Sequence, residues 1–338
     1  MIDSTPIEVL ITFPFPEDIL EELRAVSPRV NITAKKPENV PVEMWKHVEV
    51  LYAARQLPDP EMVPALKWYQ SHFVGIESEW GAGILEKPGL IVTTMSGAAA
   101  PQVAEYTVAM MMALGHCLPD LMANQRVGGW PDRRWDRFEP LELRGSTVGI
   151  LGYGSIGREV ARLLQPFDVT ILAAKRNVMQ PEDHGFSLDG IGDPGGHFFT
   201  RLYPIAARRS MIMECDFVIS TLPSTPETLG LIGKSELAAM KPTAMLVDVG
   251  RGGVIDPDAL YTALKEKKLG GAALDVFVEE PLPPESPFWK LPNVIITPHI
   301  AWTSPQYRQR AAKLFAENLR RYINGEPLYN QYDADKGY

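Results

Sequence analysis

Short apolar runs rich in Val and Ile recur along the chain between longer mixed stretches. Glu8 to Phe13, Val30 to Ala34, Val48 to Ala53, Leu66 to Phe73 and Leu90 to Thr94 are bounded by Pro, Gly and charged residues, a pattern that predicts strands buried on both faces of a parallel sheet. A second set is stronger: Thr147 to Gly152, Val169 to Ala174, Asp216 to Thr221, Ala244 to Val249, Gly271 to Phe277 and Val294 to Thr297. Helical stretches separate most of its members, the alternation of a doubly wound α/β sheet.

Between the sets, Val103 to Leu118 is apolar for too long to be a strand. It predicts a buried helix that crosses between domains or forms a subunit contact. Asn177 to Thr200 breaks the rhythm with Gly, Asp and Pro, and reads as an extended surface loop before the next helix. A last helix is expected over Arg308 to Asn324, followed by a polar tail from Glu326 to Tyr338.

A chain of 338 residues exceeds the size at which one hydrophobic core stops growing, so two domains are expected. If the last helix completes the first domain, residues 1–101 with 304–338 form one domain, and residues 102–303 form a second inserted within it.

Composition narrows the partners. The net charge is −9, with no basic stretch of the kind that neutralises phosphates along a nucleic acid. Cys117 and Cys215 are far apart in apolar surroundings and suit neither a disulfide framework nor a metal site. Met1 to Glu8 carries acids rather than a basic leader, and no apolar run is long enough to span a bilayer. A cytoplasmic protein that binds no nucleic acid, membrane or metal is expected.

Candidate chemistry begins at Val148-Gly-Ile-Leu-Gly-Tyr-Gly-Ser-Ile-Gly157, where a G-x-G-x-x-G spacing follows an apolar strand and precedes a helical stretch, Arg158 to Gln165. Gly152 permits the tight turn, Gly154 lets backbone approach a pyrophosphate, and Gly157 lets helix pack closely on strand. Amides around Ser155 and Ile156, at the positive end of the helix, then meet phosphates. The next strand ends Ala173-Ala174-Lys175-Arg176 with no carboxylate at its tip, and Asp168 precedes it. Two cations suit a ribose 2′-phosphate, so NADP(H) is favoured over NAD(H).

Arg251, Glu280 and His299 stand at or just beyond the ends of three separate strands, where open α/β sheets place their ligands. Hydride reaching a carbonyl carbon leaves an alkoxide that needs a proton, which an imidazole supplies near neutrality. A carboxylate beside an imidazole favours its charged form. A guanidinium fork fixes an acid group and stabilises charge growing on the carbonyl oxygen. These residues together suit ketone reduction.

The motifs Val247-Asp-Val-Gly-Arg-Gly252, Asp275-Val-Phe-Val-Glu-Glu-Pro281, Thr297-Pro-His-Ile-Ala301, Val103-Ala-Glu-Tyr106 and the glycine fingerprint occur in one order. In this the chain resembles the D-isomer-specific 2-hydroxyacid dehydrogenases, from about Leu66 to about Asn330. The resemblance implies a Rossmann cofactor domain inserted in a flavodoxin-like substrate domain. It implies that Arg251 binds the substrate's carboxylate and carbonyl, that His299 is the acid/base, and that Glu280 pairs with it. Backbone amides of Val74 and Gly75 would hold the carboxylate. Thr221, Leu222, Val249, Gly250, Asp275 and Ala301 would contact the nicotinamide half of the cofactor beside His299, with Asp275 toward the carboxamide.

Ile300-Ala-Trp302 is similar to glycerate dehydrogenases and hydroxypyruvate reductases, which points to a small 2-keto acid such as glyoxylate or hydroxypyruvate, with longer 2-keto acids left open and Trp302 either limiting substrate size or packing between domains or subunits. The helical region from Gln102 to Gln125 resembles the family's dimerisation arm, so a homodimer is expected. Formate dehydrogenases carry Gln in place of Glu280. Related corepressors that sense dinucleotides share the fold, so a binding role stays open at this point.

Overall fold

The computed structural model describes residues 5–76, 79, 81–333 and 337. The start of the acidic amino-terminal stretch and part of the polar tail lie outside the described residues. The chain divides into two compact units, one built from residues up to Ala99 and from Ser304 onward, the other from Ala100 to Thr303.

In the first unit five strands, β1 (Ile7–Ile11), β2 (Val30–Ala34), β3 (Val50–Ala53), β4 (Trp68–Ser71) and β5 (Ile91–Thr93), form a parallel sheet in the order β2-β1-β3-β4-β5. This is the flavodoxin-like order. The helices of this unit are α1 (Glu17–Arg24), α2 (Val42–Trp45) and α10 (Tyr307–Asn324). Acidic residues Glu17 and Asp18 open α1 and Arg24 closes it, matching the helix dipole, while Ile19, Leu20 and Leu23 turn inward. On α10, Ala311, Ala312, Phe315 and Leu319 repeat at helical spacing and are buried, and Gly325 ends the helix in the left-handed region. Phe315 meets the rings of Tyr52 and Trp68 at 4.9 and 5.3 Å, so residues far apart in sequence share this core.

The described part of the polar tail is paired with the first sheet. Tyr332 N–H donates to the Val92 carbonyl, Thr94 N–H donates to the Asn330 carbonyl, and Thr93 bridges Gln331 in antiparallel sense. Backbone pairing covers the open edge of β5, which would otherwise present unpaired amides.

The second unit carries seven parallel strands, β6 (Thr147–Leu151), β7 (Thr170–Lys175), β8 (Arg201–Pro204), β9 (Phe217–Ser220), β10 (Met245–Asp248), β11 (Gly271–Leu274) and β12 (Val294–Ile296). Their order is β12-β11-β10-β9-β6-β7-β8, the dinucleotide-fold order extended by one strand, with its switch point between β9 and β6. Its helices are α3 (Ala100–Gly115), α4 (Leu118–Arg126), α5 (Arg134–Arg137), α6 (Ser155–Leu164), α7 (Arg208–Ile212), α8 (Lys234–Leu237) and α9 (Pro257–Lys265).

Two expectations are corrected here. The apolar stretch is helix α3, but the helical region expected over Gln102 to Gln125 is two helices, parted at Cys117, which sits at φ 55°. Pro119 has no N–H for the Gly115 carbonyl, and Leu141 N–H donates there at 2.8 Å instead. The loop after β7 leads not to a helix but to β8, an edge strand in which Pro204 is tolerated because one side has no neighbour. Among the described residues no helix is long and apolar enough to cross a membrane, and no group of three His, Cys, Asp or Glu is placed to hold a metal.

Candidate active site

The carboxyl ends of β6, β9, β10, β11 and β12 lie side by side in the second unit, and its candidate residues other than Lys175 and Arg176 follow these ends. After β6, Gly152 takes φ 98°, a conformation that only glycine adopts readily. A Cβ on Gly157 would fall 2.4 Å from the Gly152 carbonyl, so helix α6 meets its strand as closely as backbone allows. A Cβ on Gly154 would meet nothing within 4 Å. Helix α6 starts at Ser155, followed by Ile156, with no side-chain cap. An open glycine turn leading into an uncapped helix start fits a pyrophosphate.

Thr221, just past β9, donates its hydroxyl to the Gly152 carbonyl at 2.7 Å. Leu222 backs onto Gly250, where a Cβ would stand 2.7 Å from the Leu222 carbonyl, and Val249 N–H donates to Ser220 O. The loops after β6, β9 and β10 are thus one packed surface.

Arg251 follows β10 and donates to the Gly250 carbonyl at 2.9 Å. A Cβ on Gly252 would lie 1.9 Å from the Phe277 carbonyl, which seats the arginine's loop directly on the segment bearing Glu280. Glu280 divides its oxygens. Oε1 accepts the Phe277 amide at 2.9 Å, and Oε2 lies 2.7 Å from His299 Nδ1. His299 and Glu280 are each about one-third exposed. With Nδ1 committed, Nε2 is the ring nitrogen left for another partner.

His299 has φ 53°, a conformation that costs a non-glycine residue energy. Asp275 holds the turn there. Its Oδ1 accepts the Thr297 hydroxyl at 2.6 Å and the Ile300 amide at 2.9 Å, and Oδ2 accepts the Ala301 amide at 2.9 Å. The structure therefore gives the Asp275 carboxylate, read above as facing a carboxamide, a second task within the protein. Trp302 also bends back onto the turn, its indole N–H donating to the His299 carbonyl at 3.1 Å.

At the tip of β7 the two cations are engaged. Lys175 Nζ donates to the Gln180 carbonyl at 2.6 Å, and Arg176 pairs with Glu227 at 2.8 Å. Contrary to the sequence expectation, a carboxylate does reach this tip, supplied from the segment after β9. Burial holds the Lys175 amine below its usual range, and the Arg158 charge adds to this. In the first unit, Val74 and Gly75 follow β4 in a bend outside any helix or strand.

The sequence reading missed a buried clamp behind the fingerprint. Tyr153, between two of its glycines, donates its hydroxyl to Asp193 Oδ2 at 2.7 Å, and Asp193 also accepts the amides of His197 and Phe198. Arg158, only 2% exposed, donates to the carbonyls of Asp193 and Pro181. The available signal was an arginine directly after the third glycine, on a helix face that packs inward.

Residues 108–301 match the family described as D-isomer specific 2-hydroxyacid dehydrogenase, NAD binding domain, and the chain belongs to the D-isomer specific 2-hydroxyacid dehydrogenases. It is 32% identical over 331 residues to a D-3-phosphoglycerate dehydrogenase of Methanocaldococcus jannaschii, covering 96% of this chain and 59% of that protein. It is 32% identical over 343 residues to a glyoxylate reductase of Thermococcus litoralis, covering 92% and 98%. The chain thus spans about three-fifths of the length of the phosphoglycerate dehydrogenase. A crystal structure of a D-isomer specific 2-hydroxyacid dehydrogenase from Xanthobacter autotrophicus, in complex with NADPH and MES, shares the fold with a TM-score of 0.78. It is 25% identical, with 99% of this chain and 100% of that one covered.

Proposed function

We propose that the protein reduces a small 2-keto acid, glyoxylate or hydroxypyruvate, to the D-2-hydroxy acid, using NADPH in preference to NADH. The observation that carries this reading is the 2.7 Å pairing of His299 with Glu280, on loops beside Arg251 at the carboxyl edge of a dinucleotide-type sheet. His299 Nε2 gives the proton to the carbonyl oxygen, and Glu280 fixes the ring and balances its charge. Arg251 binds the acid group and the oxygen on which charge grows. In the first unit, the amides of Val74 and Gly75 are assigned to the substrate carboxylate. A bound reduced nicotinamide supplies the hydride. Gly152, Gly154, Ser155, Ile156 and Gly157 are assigned to its pyrophosphate, and Thr221, Leu222, Val249, Gly250, Asp275 and Ala301 to its nicotinamide side. Lys175 and Arg176 are assigned to the 2′-phosphate, which requires them to exchange their present partners for it. We assign the protein to the cytoplasm as a homodimer.

The test follows absorbance of NADPH and of NADH with glyoxylate, hydroxypyruvate, pyruvate and bulkier 2-keto acids. Turnover is expected with NADPH and the smallest acids, and its loss, by a factor of a thousand or so, in His299→Ala. Turnover that survives in His299→Ala rejects the proton-donor role.

A second reading, a larger acid with a second anionic group, is favoured by the 32% identity to a D-3-phosphoglycerate dehydrogenase. D-3-phosphoglycerate, assayed in the oxidative direction, separates the two readings.

A further inference from the structure

Two side chains one turn apart on α3 reach the turn that carries His299. Tyr106 Oη lies 2.6 Å from Thr297 Oγ1, and Gln102 Nε2 donates to the Trp302 carbonyl at 2.6 Å. A spacing of four residues puts both on one face of the helix. Thr297 in turn donates to Asp275 Oδ1 at 2.6 Å. A hydroxyl has a single proton, so with that proton given to Asp275 the Thr297 oxygen can only accept from Tyr106. The donors therefore run in one direction, from Tyr106 to Thr297 to Asp275. Burial keeps the Tyr106 phenol above its usual range, the Thr297 bond opposes this and the Asp275 charge reinforces it, so the phenol carries its proton at neutral pH.

The end of this chain is the group that fixes the His299 backbone. Asp275 binds the amides of Ile300 and Ala301, the two residues after a histidine held at φ 53°. A backbone conformation that the residue itself disfavours persists only where its surroundings hold it. Thr297 anchors the start of the turn, Asp275 its middle and Gln102 its end. We infer that Tyr106 and Thr297, supported by Gln102, are positioning residues: α3 sets the orientation of His299 toward its reacting partner through the Asp275 carboxylate. The inference rests on the reading of His299 as the proton donor, and its effect is on geometry, where a shift of about 1 Å costs up to a hundredfold in rate.

The test compares Thr297→Val, Thr297→Ser and Tyr106→Phe with the unaltered chain. Two readouts are used, steady-state kinetics with NADPH and glyoxylate, and the His299 Nδ1–H resonance in protein labelled with 15N-histidine, identified by its absence in His299→Ala. Thr297→Val is expected to lower kcat about tenfold, with the KM for NADPH within about twofold of its original value, and Thr297→Ser to restore it. The resonance moves in Thr297→Val and returns in Thr297→Ser. Because the groups act in series, Tyr106→Phe adds little to Thr297→Val when the two are combined. A kcat within about twofold in both Thr297→Val and Tyr106→Phe, with the resonance unmoved, overturns the inference. If the unaltered protein turns over no 2-keto acid, the functional reading fails, and the resonance alone decides whether α3 positions His299. If Thr297→Val does not fold, the milder Tyr106→Phe decides by the same two readouts.

Discussion

A single carboxyl group at the end of β10 makes the second unit sensitive to pH. Asp248 is 4% exposed, and its Oδ1 accepts the Gly250 amide at 3.2 Å. Burial pushes this carboxyl up from 3.8 to about 7. The Gly250 amide and the Ser220 hydroxyl oppose the rise, the charge of Asp275 adds to it, and Arg251 offsets part of it. Below pH 3.8 the group is protonated whether the chain is folded or not, and it costs nothing. From pH 3.8 to about 7 the unfolded chain releases the proton while the folded chain keeps it, so stability falls as pH rises and is lowest above 7. Asp248→Asn keeps an acceptor for the Gly250 amide and removes the ionisation. At pH 8 it is expected to be more stable than the unaltered chain by up to about 4 kcal/mol, read as a higher melting temperature, and the gain is expected to vanish near pH 4. A gain that persists unchanged at pH 4 would show that the effect comes from packing instead. At this scale His299, Glu280 and Arg251 were legible because each chemical type stands in a motif at a strand end. Asp248 was not, because a carboxylate beside an apolar strand reads the same whether water or protein surrounds it.

Among the elements, the Gly-rich connection between β7 and β8 departs furthest from its sequence reading. Its glycines and prolines suggested a surface loop, yet Asp193 lies 2% exposed and gathers Tyr153, His197 and Phe198 around one carboxylate. Burial opposes the charge on Asp193. The His197 and Phe198 amides, the Tyr153 hydroxyl and Arg158 outweigh that and hold the carboxyl below 3.8. The stabilisation is complete at neutral pH and is lost as pH falls through that lowered value. Asp193→Ala leaves three donors without their acceptor, at a cost on the order of 3 kcal/mol, and trypsin is expected to cut at Arg176 or Arg201 much faster than before. Unchanged cleavage would mean that Arg158 holds the loop without Asp193. Strands with continuous Val, Ile and Leu were readable to within two or three residues, because burial on both faces leaves no alternative composition. Strand β8 was not, since Arg201-Leu-Tyr-Pro204 is a short edge with only one neighbour.

At the scale of the molecule, exposed apolar side chains among the described residues recur along α4 and the segment after it. Leu121 and Met122 are partly exposed, and Trp130 and Trp135 remain 83% and 71% exposed. Indole rings left this open in a single chain fit an interface with a second copy better than they fit water. Light scattering is expected to give twice the chain mass, and Leu121→Asp combined with Met122→Asp to return it to the single-chain value. A single-chain mass for the unaltered protein would remove the dimer.

The first unit is closed by the last segment of its chain: α10 supplies Phe315 to the core around Tyr52 and Trp68, and the tail pairs with β5. During synthesis this reverses the usual order of events. Strands β1 to β5 emerge first, yet they lack a buried wall and an edge partner until residues 100–303 have been made, a wait of roughly 10 to 40 s at about 5–20 residues per second. The later-made dinucleotide-type unit holds all seven of its strands within that one segment. A chain that ends before Ser304 therefore lacks both the helix that walls the first sheet and the tail that pairs with β5, and that open edge is what a holding chaperone has most reason to meet.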